Sequence, residues 1–178
     1  MNLETSNVMY TPHFSQLELI ESATARKYGI DNSPTPEVVD NLRTLCVNTL
    51  EPLREALGLP VIITSGYRCK APNDIISHHS NRSQHLKGQA ADFYVGWCSS
   101  LGGRGQSTGK CPDSRERLIQ AFRLIITDDG IDFDQLILYP NFIHVSYATP
   151  NDNHHYIMAA QGNGKYNRLS REQALKIN

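Results

Sequence analysis

Two short stretches, far apart in the chain, limit what this sequence can fold into. One is Ser83-Gln84-His85-Leu86-Lys87-Gly88-Gln89-Ala90-Ala91-Asp92 and the other is Phe142-Ile143-His144-Val145-Ser146. Together they hold two imidazoles and one carboxylate, His85, Asp92 and His144, a suitable ligand set for a catalytic zinc ion. Three protein ligands on a four-coordinate metal leave one position for water, and bound water becomes acidic enough to supply hydroxide near neutral pH. Asp92 and His144 both lie in strand-like runs. Side chains alternate along a strand, so His144 shares a face with Ser146, and Asp92 shares one with Ala90 and Tyr94. If both strands lie in one sheet the two ligands converge on one side, and His85 enters from the preceding loop. Gly88 lets the backbone turn between the first two ligands. Asp92 sits at the start of a strand, where aspartate is disfavoured, and that local misfit points to function. These residues alone suggest a zinc hydrolase.

The rest of the chain narrows the setting. Its 178 residues suit one domain with a real core, and a net charge of −1 gives no nucleic-acid field. No apolar run is long enough to span a membrane. The stretch from Met1 to His13 lacks the basic-then-apolar order of a signal peptide, so the expectation is a cytoplasmic protein as encoded, unless it is released or exported. Cys46, Cys69, Cys98 and Cys111 form no CxxC pairs, which argues against a four-cysteine zinc site. Cys46 falls on an apolar helix face as a buried thiol. Cys98 and Cys111 bracket a Gly- and Ser-rich loop, and either a disulfide or a free pair is compatible with that spacing.

Ser15-Gln16-Leu17-Glu18 has the form of a capping box and starts a helix expected to run to about Tyr28, with Gly29 as its stop. A turn-rich linker follows. Thr35 caps a second helix with Pro36 in its first turn, and Val39, Leu42, Cys46, Leu50, Leu53 and Leu57 form its buried stripe. Pro52 should bend or interrupt it, and Gly58 should end it. Val61–Thr64 and Ala90–Val95 read as strands, Ala71–Ile76 as a short helix and Ser77–Gly88 as a polar loop. The segment from Gly96 to Pro112 reads as a flexible insertion, and Ser114–Thr127 as a helix with Leu118, Phe122, Ile125 and Ile126 on one face. Gln135–Tyr139 and Phe142–Tyr147 form a hairpin about Pro140-Asn141. His155–Ala160 adds a final edge strand. The expected organisation is a single domain over 1–178, with N-terminal helices to 58, a metal-site core over 59–148 with an insertion at 96–112, and a tail over 149–178. The end after Gly162, with Arg168, Arg171 and Lys176, reads as solvated or docking.

Ser65-Gly66-Tyr67-Arg68, the 83–92 stretch, Phe133-Asp134-Gln135-Leu136-Ile137 and Ile143-His144-Val145-Ser146 resemble the zinc D-alanyl-D-alanine carboxypeptidases and murein endopeptidases, the peptidase M15-like group. The resemblance covers roughly Phe14 to Tyr147. It implies an α+β fold with a small antiparallel sheet flanked by helices, shared with the hedgehog signalling domain. It also implies that His85, Asp92 and His144 bind Zn2+, that Arg68 faces the substrate, and that the substrate is a peptidoglycan peptide, met at the cell wall if the protein is released or exported. A guanidinium at Arg68 would hold a carbonyl or carboxylate and stabilise developing negative charge. Ser83 would hydrogen-bond the substrate or the ligand shell.

One departure from the family pattern matters. Several members place a Glu shortly before the last zinc histidine, whereas Tyr139-Pro140-Asn141-Phe142-Ile143 contains no carboxylate. Hydrolysis needs a group to take a proton from water and return it to the leaving amine. The candidates are Asp134, Tyr139 (a poor base at an unshifted pKa), or an imidazole from His78, His79, His154 or His155. Two rival readings follow. In one, the chain is a non-catalytic zinc domain that binds a wall peptide or a protein. In the other, a fourth ligand such as His78, His79 or His154 closes a structural zinc site. The oligomeric state is not readable from the sequence.

Overall fold

The computed structural model describes residues 7–76, 80–96, 114–162 and 164–178. The expected insertion, with Cys98 and Cys111, and the pair His78 and His79 lie outside the described residues. The chain opens with two short helices, α1 (Gln16–Ile20) and α2 (Ala23–Tyr28), and not the one helix expected. Ser15 caps the first and Ser22 caps the second, each accepting a hydrogen bond from the backbone three residues on. The break has a tertiary cause. The carbonyls of Leu19 and Ile20, which a continuous helix would bond to residues 23 and 24, instead accept from the Tyr67 N–H at 2.7 Å and the Asn32 Nδ2 at 2.7 Å.

Pro52 interrupts the next helix as expected. α3 (Pro36–Leu45) passes through a π-helical turn at Cys46–Leu50 into α4 (Glu51–Leu57). Proline cannot donate to the carbonyl four residues back, so the Asn48 carbonyl is free and accepts from the Asp132 N–H at 3.0 Å. Thr49 Oγ1 donates to the Asp132 carbonyl at 2.6 Å. The interruption thereby anchors the helix to the segment entering the sheet.

Six strands make one sheet: β1 (Val61–Ser65), β2 (Ala90–Val95), β3 (Gln135–Leu138), β4 (Ile143–Ser146), β5 (Tyr156–Gly162) and β6 (Lys165–Arg168), in the order β1-β2-β4-β3-β5-β6. All neighbours are antiparallel except β3 and β5. The fold is therefore a small α+β architecture with a mostly antiparallel sheet. β5 is an interior strand and not the expected edge, because β6 pairs beyond it. A short helix, α5 (Lys70–Ile75), follows β1, and a single 3-10 turn at Gln84–Lys87 precedes β2.

Strand alternation divides the sheet chemically. Phe93, Ile143, Val145 and Leu136 point to one side and are fully buried against Leu42, Leu45, Leu50 and Leu53 and against α6 (Ser114–Thr127), which contributes Leu118, Phe122 and Ile125. The opposite face carries Asp92, His144 and Ile137 in adjacent register. The C-terminal end is more ordered than a solvated tail. β6 leads into α7 (Arg171–Leu175), whose start is a capping box of Ser170 and Gln173. Ala174 is fully buried, and Arg123 on α6 donates to the Ile177 carbonyl at 2.7 Å.

Candidate metal centre

Asp92 and His144 are direct cross-strand partners on β2 and β4. His144 Nδ1 lies 2.8 Å from Asp92 Oδ1. His85 reaches the same oxygen from the 3-10 turn, with its Nε2 at 3.3 Å. One ligand atom from each of the three residues lies within 4.8 Å of the others. Among the described residues this is the one cluster of its kind that could hold a metal ion.

The position of His85 is built by glycine geometry. β1 carries an irregularity between Ile63 and Ser65, and the chain leaves it through Gly66. A β-carbon on Gly66 would sit 2.1 Å from the Leu19 carbonyl oxygen, so only glycine lets the turn pass α1. The Gly66 carbonyl lies 2.7 Å from His85 Nδ1, and the Arg68 N–H donates to the His85 carbonyl at 3.2 Å. Gly88, at φ 69°, ends the 3-10 turn against Val38. Asn32 holds the other side of the Ser65-Gly66-Tyr67-Arg68 turn, donating to the Tyr67 carbonyl at 3.1 Å and accepting from the Cys69 N–H at 2.8 Å. Sequence reading placed Asn32 in a linker. An amide two residues before Pro34 was its only signal.

This geometry fits a metal. A carbonyl only accepts, so His85 Nδ1 carries the hydrogen and Nε2 of the neutral ring is a bare lone pair. That lone pair faces a carboxylate oxygen, and two acceptors at 3.3 Å repel unless a cation lies between them. Burial, opposed by the nearby Asp92 charge, pushes the His85 pKa down and favours the neutral, ligating form. The separations of 2.8 and 3.3 Å are close to the roughly 3.3 Å between tetrahedral ligands about 2.0–2.1 Å from zinc. A backbone carbonyl on the non-ligating nitrogen is the usual support of a metal-bound histidine.

The cluster lies in a cleft of about 580 Å³, whose lining includes Arg68, Arg82, Ser83, Ile137, Tyr139, Phe142 and Tyr166. Arg68 is half-buried, and its Nε has no hydrogen-bond partner among the described residues, which suits a donor awaiting a ligand. Burial lowers its pKa and Asp92 opposes the shift; a guanidinium stays cationic at neutral pH. Ser83 also lines the cleft.

The structure does not bring every candidate base to the cleft. Asp134 is buried outside it. Its Oδ2 accepts from Gln84 Nε2 at 2.7 Å, and its Oδ1 accepts from the His154 N–H at 2.9 Å and lies 2.7 Å from His154 Nδ1. Burial acts to raise its pKa, and these hydrogen bonds outweigh that and lower it. Both Asp134 oxygens are thus engaged, one by Gln84 in the turn that carries His85 and the other by His154. His154 is occupied by Asp134, and His155 lies 2.8 Å from Asp132; neither lines the cleft. Tyr139 does line it. Burial and the Tyr166 hydroxyl raise its pKa, which keeps it a neutral phenol near neutral pH, a hydrogen-bond donor with no phenolate to act as a base. Asp92 is the only carboxylate in the described lining.

A histidine-aspartate-histidine cluster that could hold a metal ion, set in a cleft on an α+β sheet, is an arrangement suited to a metallopeptidase. The chain belongs to the peptidase M15 family, whose model matches residues 12–100. That segment includes Arg68, His85 and Asp92, whereas His144 lies beyond it and joins the site by strand pairing. No curated protein matches the chain.

Proposed function

We propose that this protein is a zinc-dependent peptidase that hydrolyses peptidoglycan stem peptides, as a D-alanyl-D-alanine carboxypeptidase or a murein endopeptidase. The observation that carries the reading is the convergence of His85, Asp92 and His144 in a cleft that also holds an Arg68 nitrogen with no partner among the described residues. His85 would bind through Nε2, His144 through Nδ1 and Asp92 through Oδ1. Zinc bound there would supply an acidified water and polarise the scissile carbonyl.

The protein's own groups do the rest. The Gly66 carbonyl fixes the His85 tautomer. Asp134 holds Gln84 and with it the turn that presents His85. Arg68 orients the peptide and stabilises the negative charge that grows on the carbonyl oxygen. Ser83 offers a hydroxyl to the substrate. The cell-wall substrate rests on the family. Incubating the zinc-loaded protein with peptidoglycan and its stem peptides, with product masses recorded, should show cleavage of an amide next to a D-amino acid.

One observation favours a second reading, a zinc-containing domain that binds a wall peptide or a protein without cleaving it: no carboxylate other than Asp92 is present in the described cleft lining. On that reading the same incubation leaves the peptides intact while the protein retains zinc and binds them.

A further inference from the structure

The chain beyond the matched family segment returns to the cleft. β5 lies parallel beside β3, and β6 folds back on β5 with Tyr166 opposite Ala160. Tyr166 lines the cleft together with Tyr139, Phe142 and the candidate ligands. The Tyr139 ring stacks on Phe142 at 4.2 Å and meets the Tyr166 ring edge-on at 6.1 Å. The two phenol oxygens are 3.0 Å apart.

Hydrogen-bond accounting gives this pair a direction. Each hydroxyl has one hydrogen and two lone pairs. One O–H is spent between the two oxygens, and the other is left to donate elsewhere. Tyr139 is half-buried and its hydroxyl feels the charge of Asp92, whereas Tyr166 is 45% exposed. The spare donor reaches the ligand side of the cleft only when Tyr166 donates to Tyr139. A hydroxyl that accepts one hydrogen bond is also a stronger donor in the next.

We infer that Tyr139 donates a hydrogen bond to the scissile carbonyl oxygen as it gains negative charge, and that Tyr166 positions that hydroxyl. Tyr139 is then a catalytic residue beside Arg68, and Tyr166 a positioning residue supplied by the C-terminal hairpin. No proton is transferred; the phenol stays neutral throughout. The inference rests on the peptidase reading and deepens it, since it names the groups that meet the reacting oxygen.

The test uses the zinc-loaded full chain and the variants Tyr139→Phe, Tyr166→Phe and the double variant. Phenylalanine keeps the ring stacked on Phe142 and removes only the hydroxyl. The probe is a phosphinate analogue of D-alanyl-D-alanine, whose charged oxygens imitate the growing oxyanion, with affinity read by calorimetry. Tyr139→Phe should bind it about 10–100-fold more weakly, the usual worth of a hydrogen bond to a charged group. Tyr166→Phe should lose roughly 3–10-fold, and the double variant should be no weaker than Tyr139→Phe, because Tyr166 acts through its partner. In turnover, kcat should fall with KM nearly unchanged. Wild-type affinity in Tyr139→Phe, or losses that multiply in the double variant, would overturn the inference. Wild-type protein that binds the phosphinate but cleaves nothing contradicts the peptidase reading, and the affinities still decide the role of the hydroxyls. Protein that does neither overturns both.

Discussion

At the scale of single residues, the account depends on which groups face the cleft and which only hold others in place. His85→Ala or His144→Ala removes one of the three proposed ligands, and metal analysis of the purified variants should find well under one zinc per chain. Stoichiometric zinc in either would refute the ligand assignment. Arg68→Ala should keep its zinc and lose about 10²–10³-fold in kcat/KM, the range for a lost donor to a developing oxyanion. Asp134→Asn separates bracing from base chemistry. It weakens the acceptors for Gln84 and His154, so chemical denaturation should show a loss of about 1–3 kcal/mol. Its turnover should stay within about threefold of wild type, against the 10²–10⁴-fold that general-base catalysis contributes. A loss of that size at unchanged zinc content would return Asp134 to the list of bases. The sequence alone could not sort Asp134 from a base, because its fate is decided by Gln84 and His154, which approach it only in the folded chain.

At the scale of elements, local signals read well where local physics decides. Ala90–Val95 and Ser114–Thr127 form with the expected bounds, because alternation in one and a helical apolar face in the other dominate their neighbourhoods. The pairing of Asp92 with His144 likewise follows from alternation once the two strands share a sheet. Elements shaped by distant partners were not legible. The break between α1 and α2 depends on Tyr67 and Asn32 capturing two carbonyls, and within residues 15–28 the cap residue Ser22 is the one local trace of it. The C-terminal end did carry a signal, the Ser170 and Gln173 box, but charged residues around it masked the burial of Ala174. Gly66 shows how an element boundary reaches the site. Gly66→Ala forces a methyl into the Leu19 backbone, so it should destabilise the fold by about 1–3 kcal/mol or more. It should also weaken zinc retention by shifting the carbonyl that orients His85. A Gly66→Ala protein with unchanged melting temperature and zinc affinity would contradict this link.

At the scale of the whole molecule, the sheet has two jobs on two faces. One face is sealed by the core of α3, α4 and α6, and the other presents the proposed ligands in a cleft that reaches from Arg68, after β1, to Tyr166 on β6. Among the described residues no helix is long and apolar enough to cross a membrane. Because the ligands come from β2, β4 and the 3-10 turn, bound metal ties together segments that otherwise meet through hydrogen bonds, and it should raise the melting temperature by mass action. The central claim, a metal-dependent peptidase, is tested most directly by measuring zinc content and hydrolysis on one preparation, with peptidoglycan stem peptides, before and after chelation and after zinc is restored. We expect about one zinc per chain, cleavage that stops on chelation, and recovery when zinc returns. Cleavage that persists in metal-free protein, or full zinc occupancy with every peptide intact, would contradict the account.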